Sequence, residues 1–348
     1  MQPIAKRQLK RLVFRFFEQR PRWFVELVRE HPALLKSTLQ AHPEWVAQFL
    51  QEHPRWTERW LDGRIQQRYQ LPVPLDNYQS PLPDLGAVKQ NLARWYRPSF
   101  LDPARWDLDK QSQFLRMLCP FKSEADALPT CVQLADEGYG LGYGEVEARI
   151  LYSMVRYLKP RQVIEVGAGI SSFFTLSALE VNRALDNIEG KLLCIEPYPS
   201  AKIRGLAAQG RLALDDRQVQ DVAIRVFQTL YENDVLFIDS SHVAKIDSDV
   251  NWLYLDVLPR LNKGVVVQIH DIHFPYPTVR PSHPLFDLTL LWNEAALVQA
   301  FLMYNDAFEI LLCESYLHHE HPAALKELVA LYDPDEHCPS SVWIQRNT

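Results

Sequence analysis

Asp239, His242, His270, Asp271 and His273 combine side chains that take up protons near neutrality with side chains that hold cations. Two kinds of chemistry are open to such a set. In one, His270 or His242 acts as a general base oriented by an aspartate such as Asp271, since histidine titrates close enough to neutrality for that task. In the other, Asp239, His270 and Asp271 hold a divalent cation that binds a hydroxyl and lowers its pKa. His273 also has a plain reading, as a loop residue without a chemical task.

These residues need a scaffold that brings distant stretches of chain to one place, and the apolar runs before them supply it. Residues 235–241 (VLFIDSS) read as a buried strand with Asp239 at its carboxyl end, and residues 264–272 (GVVVQIHDI) as another ending in His270 and Asp271. Residues 191–197 (KLLCIEP) are a third, ending in Glu196, where a ribose diol would find an acceptor. The organising stretch is 162–179, QVIEVGAGISSFFTLSAL, in which Val163, Ile164 and Val166 form a strand covered on both faces. Gly167 and Gly169 make the turn into a helix opening at Phe173, with Ser171 and Ser172 as caps. Amides at a helix start favour an anionic or carboxylate-bearing ligand. Side chains at the carboxyl ends of adjacent strands in an open α/β sheet converge on one crevice, so all four stretches face the same site.

The chain resembles the class I S-adenosylmethionine-dependent methyltransferases, and most closely a bacterial group with E-x-G-x-G, F-I-D-x-x-H, L-P-x-L-x-x-G and H-D motifs. The matching residues are Glu165, Gly167, Gly169, Phe237, Ile238, Asp239, His242, Asp249, Leu258, Pro259, Leu261, Gly264, His270 and Asp271, within roughly residues 130–348. The resemblance implies S-adenosylmethionine as cofactor, bound by Glu165, Gly167, Gly169, Ser171, Glu196 and Asp239. It also implies cover over the cofactor from the loop GYGLGYGE, which makes Tyr143 and Glu145 binding candidates. The implied fold is a doubly wound Rossmann-like sheet with a terminal antiparallel strand, here from residues 308–313 and 341–345, with a helix at 290–304. Catechol-type and some sugar methyltransferases hold a cation with carboxylate and amide ligands. A histidine at position 270 departs from that set and argues against magnesium.

Ahead of this region the character of the chain changes. Residues 1–70 carry 13 Lys+Arg against 7 Asp+Glu, while the remainder carries 24 against 36. Lys6, Arg7, Lys10, Arg11 and Arg15 alternate with apolar residues at helical spacing, as in a helix that docks on its own protein, on a partner or on an anionic membrane surface. Residues 20–63 repeat with a period of eleven, each unit carrying Pro21, Pro32, Pro43 or Pro54. Short helices broken at each proline are therefore expected, an all-α repeat segment. His31, His42 and His53 fall at the helix boundaries and read as capping or surface residues. Residues 71–129, rich in proline and aromatics, are expected to form a linker or lid.

The five cysteines are odd in number and without a CxxC, so neither a disulfide framework nor a zinc cluster is expected. No apolar run of about 18 residues and no signal-like start is present, which makes the cytoplasm the default location.

The acceptor is expected to be a hydroxyl on a small or glycan-like molecule, with His273, Tyr276 and Arg280 in the loop after His270 and Asp271 as substrate contacts. Nucleic acid is disfavoured by the excess acidity after residue 70. Two other readings compete: a non-catalytic binding protein that works through the N-terminal repeats, and a nicotinamide-dependent oxidoreductase. The second is weakened by Ser172, which stands where the dinucleotide fingerprint has its third glycine.

Overall fold

The structure, a computed structural model, describes residues 78–348. The chain divides into two compact units, 1–84 and 85–348, and the second contains every candidate site residue. The basic amphipathic segment, the eleven-residue repeats and His31, His42 and His53 lie outside the described residues.

The second unit begins at Leu85, not at 130, so most of the proline-rich stretch belongs to the same body as the sheet. Apolar burial is the reason. Leu101, Trp106 and Leu115 are all buried, the last on helix α1 (Leu108–Met117). Asp107 caps α1, accepting from the amides of Asp109 and Lys110 at 3.0 Å each.

Seven strands form one sheet: β1 (Gln162–Val166), β2 (Lys191–Ile195), β3 (Ala213–Asp215), β4 (Val235–Ile238), β5 (Val266–Ile269), β6 (Phe308–Cys313) and β7 (Val342–Arg346). Their order is β3-β2-β1-β4-β5-β7-β6, parallel from β3 to β5, with β7 antiparallel to both β5 and β6. This is the expected doubly wound sheet with its antiparallel strand. β3, three partly exposed residues, is too short for an apolar run to announce it.

The central strands are apolar on both faces because both faces are covered. Val163, Val235 and Val266 point into the core beneath helices α2 (Glu145–Leu158) and α3 (Ile170–Asp186). Ile164, Leu236 and Val267 point into the opposite core. Glu165 and Gln268 are polar interruptions on the α2/α3 side, both fully buried, and each is tied to the site.

Candidate active site

The strand register determines which residues meet. Val166 pairs with Ile195 and with Ile238, and Ile238 pairs with Ile269. The next residue on each strand is Gly167, Glu196, Asp239 or His270, so these four form one row along the carboxyl edge of the sheet. Main-chain bonds hold the row: Gly167 N–H donates to Ile195 (3.0 Å), Asp239 N–H to Val166 (2.9 Å) and His270 N–H to Ile238 (2.9 Å). A cleft of about 580 Å³ opens above its β1, β2 and β4 part, lined among others by Gly167, Glu196, Tyr198, Gln218, Asp239 and Asp249.

Gly167 has φ +90, and a Cβ there would lie 2.9 Å from the carbonyl oxygen of Asp239. The glycine is therefore required by the neighbouring strand end as well as by any ligand. Gly169 is extended rather than left-handed, and its missing Cβ leaves room for the Tyr139 carbonyl. α3 starts at Ile170, three residues before Phe173, so Ser171 and Ser172 sit inside the first turn. The Ser172 hydroxyl accepts from the Gly169 amide at 3.1 Å.

Ser171 donates to Glu165, whose other oxygen faces Cys194 Sγ at 3.6 Å. Glu165 lines no part of the cleft. Burial pushes its carboxyl up to about 7, against the pull of the Ser171, Ser172 and Cys194 hydrogen bonds. Because the folded pKa exceeds the ordinary 4.5, the neutral acid contributes stability that is complete below about pH 4.5 and lost as pH rises through about 7. Glu165→Gln should escape that loss. Between pH 5 and 9 the variant should gain roughly 3 kcal/mol relative to the parent. Parallel urea-denaturation profiles at pH 5, 7 and 9 would show that Glu165 is not held neutral.

Beyond the cleft, the ends of β4 and β5 gather two carboxylates and two imidazoles. Asp239 Oδ1 lies 3.3 Å from His242 Nε2 and 3.4 Å from His270 Nδ1. Asp271 Oδ2 lies 3.4 Å and 3.6 Å from the same two nitrogens. His242 and Asp271 reach these positions with φ +59 and +57, a left-handed backbone that costs of order 1 kcal/mol for a residue with a side chain. Glu294, at the start of helix α4 (Glu294–Met303), fixes the His242 ring. Its carboxylate accepts from His242 Nδ1 (2.8 Å), Ser240 Oγ (2.8 Å) and the Tyr254 hydroxyl (2.9 Å). A carboxylate can only accept, so Nδ1 carries the proton and Nε2 is turned toward the aspartates.

Burial opposes charge on both histidines, but the carboxylates outweigh it. His242 is pushed up to about 10 by Asp239, Glu294 and Asp271, and His270 to about 10 by Asp271, Asp239 and Glu147. The two imidazoles in turn hold Asp239, despite its burial, well below the usual carboxylate range. Neither His270 nitrogen has a hydrogen-bond partner.

Other expected residues lie elsewhere. Tyr143 is buried beneath His270, with ring centroids 4.8 Å apart and its hydroxyl accepting from Gln268 at 2.9 Å. Glu145 is committed to the Cys131 amide (2.6 Å) and Arg149 (2.8 Å). Both are structural contacts away from the cleft, because the glycine loop turns Tyr143 inward and Glu145 opens α2. Burial pushes His273 down to about 4, and both its ring nitrogens are unpartnered. Tyr276 and Arg280 lie further along the same loop, Tyr276 stacked on Tyr96. Asp249 clasps Ser241 through its amide and hydroxyl, at 2.7 Å each, and so closes the loop that carries His242. Glu294 and Ser340, whose hydroxyl donates to Asp271 at 3.1 Å, carry no sequence signal: each arrives from a distant element.

Residues 164–272 match a family model described as a methyltransferase domain. The matched span runs from β1 to just past β5, and so contains the whole row from Gly167 to His270. An uncharacterized protein of Archaeoglobus fulgidus is 26% identical over 170 residues, 46% of this chain and 74% of the relative. Solved structures similar to it include the O-methyltransferase TomG of Streptomyces achromogenes with SAM, at 15% identity, covering 68% of this chain and 90% of that one, TM-score 0.38. The SAH-bound methyltransferase of Podospora anserina is 15% identical, covering 78% and 100%, TM-score 0.38. Among the described residues, no helix is long and apolar enough to cross a membrane.

Proposed function

We propose that this domain transfers the methyl group of S-adenosylmethionine to a hydroxyl of a small or glycan-like acceptor, with a divalent cation held by Asp239, His270 and Asp271. The observation that carries the reading is the double position of Asp239, which lines the cleft and also faces both imidazoles. The cofactor site and the reactive cluster thus share a wall.

S-adenosylmethionine brings an electrophilic methyl on a sulfonium, and the chain has to orient an acceptor oxygen in line with it. Glu196, steadied by the Tyr198 amide at 2.7 Å, offers a carboxylate to a ribose diol at the end of β2. The residues also fit a cation. One ligand atom each from Asp239, His270 and Asp271 lies within 4.8 Å of the others, and the unpartnered His270 nitrogens lack any competing bond. Two oxygens and a nitrogen suit an ion softer than magnesium. Such an ion, when bound, lowers the pKa of an acceptor hydroxyl. A cation bound there would have to displace the proton that the facing carboxylates favour on His270, so its binding should weaken as pH falls. The hydroxyl proton, once the bound ion has lowered its pKa, would leave to solvent.

Calorimetry with S-adenosylmethionine tests the cofactor half. Glu196→Ala should weaken binding about 10- to 100-fold through loss of a charge-assisted hydrogen bond, with the unfolding midpoint unchanged. Equal affinity in parent and variant would refute the cleft as the cofactor site.

A further inference from the structure

Arg280 sits half-buried in the loop leaving β5, among rings. Tyr276 stacks on Tyr96 with centroids 5.1 Å apart and meets His319 edge-on at 5.0 Å. His319 in turn packs on His318 (4.8 Å), whose Nδ1 is 2.8 Å from the Tyr332 hydroxyl. The Arg280 guanidinium donates to the Asp335 carbonyl at 3.3 Å, in the segment that follows Tyr332.

The rings of the wall offer the guanidinium no counter-charge. Burial, His319 and Arg280 push His318 down to about 4, and burial pushes His319 down, so both imidazoles are neutral. Tyr96 and Tyr332 are each raised to about 12 by burial and stay un-ionised. Among the described residues, the hydrogen bond found for Arg280 is to the main-chain carbonyl of Asp335 at 3.3 Å, and no carboxylate lies within ion-pair distance. Arg105, Arg149 and Arg156 are, by contrast, all paired with carboxylates. A guanidinium has five donors in a fork suited to a carboxylate or phosphate, and leaving it half-buried and unpaired is costly.

The wall also adjoins the reactive cluster. The segment that holds Arg280 through the Asp335 carbonyl runs on to Ser340, whose hydroxyl donates to Asp271 at 3.1 Å. We propose that Arg280 binds an anionic group, a carboxylate or a phosphate, on the methyl acceptor, so that the acceptor is an acid that presents its hydroxyl toward Asp271. This rests on the acceptor-hydroxyl reading above and narrows it to anionic molecules.

The test uses the full chain saturated with S-adenosylhomocysteine and titrated by calorimetry with benzoate, phenyl phosphate and uncharged benzamide. At least one anion should bind about tenfold or more tighter than benzamide, and the tighter of the two identifies the source as carboxylate or phosphate. Arg280→Gln should reduce the preference to within about twofold, with Arg280→Lys intermediate. S-adenosylhomocysteine affinity, measured in each variant, reports that the fold is intact. No preference in the parent, or a preference that survives in Arg280→Gln, overturns the inference and leaves the methyltransferase reading standing. Anion preference in a chain with no S-adenosylhomocysteine affinity would do the reverse.

Discussion

Gly167→Val is expected to cost roughly 3 to 5 kcal/mol of stability, enough to leave much of the chain unfolded. The added Cβ would lie 2.9 Å from the Asp239 carbonyl and 3.2 Å from its Cβ, both on the end of β4, which the sheet holds in place. A φ of +90 adds strain that a β-branched residue cannot relieve. The first collision is therefore with the protein itself, ahead of any ligand. Urea denaturation with Gly167→Ala alongside decides the matter. A Val variant with the parental midpoint would mean that β1 and β4 are not this close.

Asp271→Asn should show the opposite pattern, an intact fold with a damaged site. Asparagine tolerates the left-handed backbone at φ +57 and keeps the Ser340 contact, so stability should change little. What disappears is the negative charge facing His242 and His270 at 3.4 and 3.6 Å. Manganese binding, followed by electron paramagnetic resonance, should weaken at least ~100-fold, and methyl transfer should fall about 10²- to 10⁴-fold. S-adenosylhomocysteine affinity should hold within about threefold, since the cleft residues remain. Parental manganese affinity in the variant would remove Asp271 from the ligand set.

The parts of the fold that were legible in the sequence are those fixed by local rules. β1, β2, β4 and β5 are short apolar runs because both sheet faces are covered, and the residue after each is glycine or polar because it leaves the sheet. From that, Gly167, Glu196, Asp239 and His270 could be placed along one edge. The α3 start was misjudged by three residues because Ile170 and both serines look like turn, while the helix begins as soon as Gly169 has passed the Tyr139 carbonyl. Tyr143 and Glu145 could not be placed, since the direction of a side chain leaving a glycine loop depends on what fills the space behind it, here Gln268 and Arg149. Glu294 was beyond reach for a different reason: it is one acidic residue at a helix start, and its pairing with His242 is set by tertiary packing alone.

β7 lies between β5 and β6 although it follows both in the chain. During synthesis the slot between those two strands must therefore stand open, with the unpaired edge of β5 exposed, until residues 342–346 leave the ribosome. Ser340 reaches Asp271 on the same late segment. A nascent chain that has made every residue from Gly167 to Asp271 thus still lacks the Ser340 bond to Asp271 until its sheet is sealed.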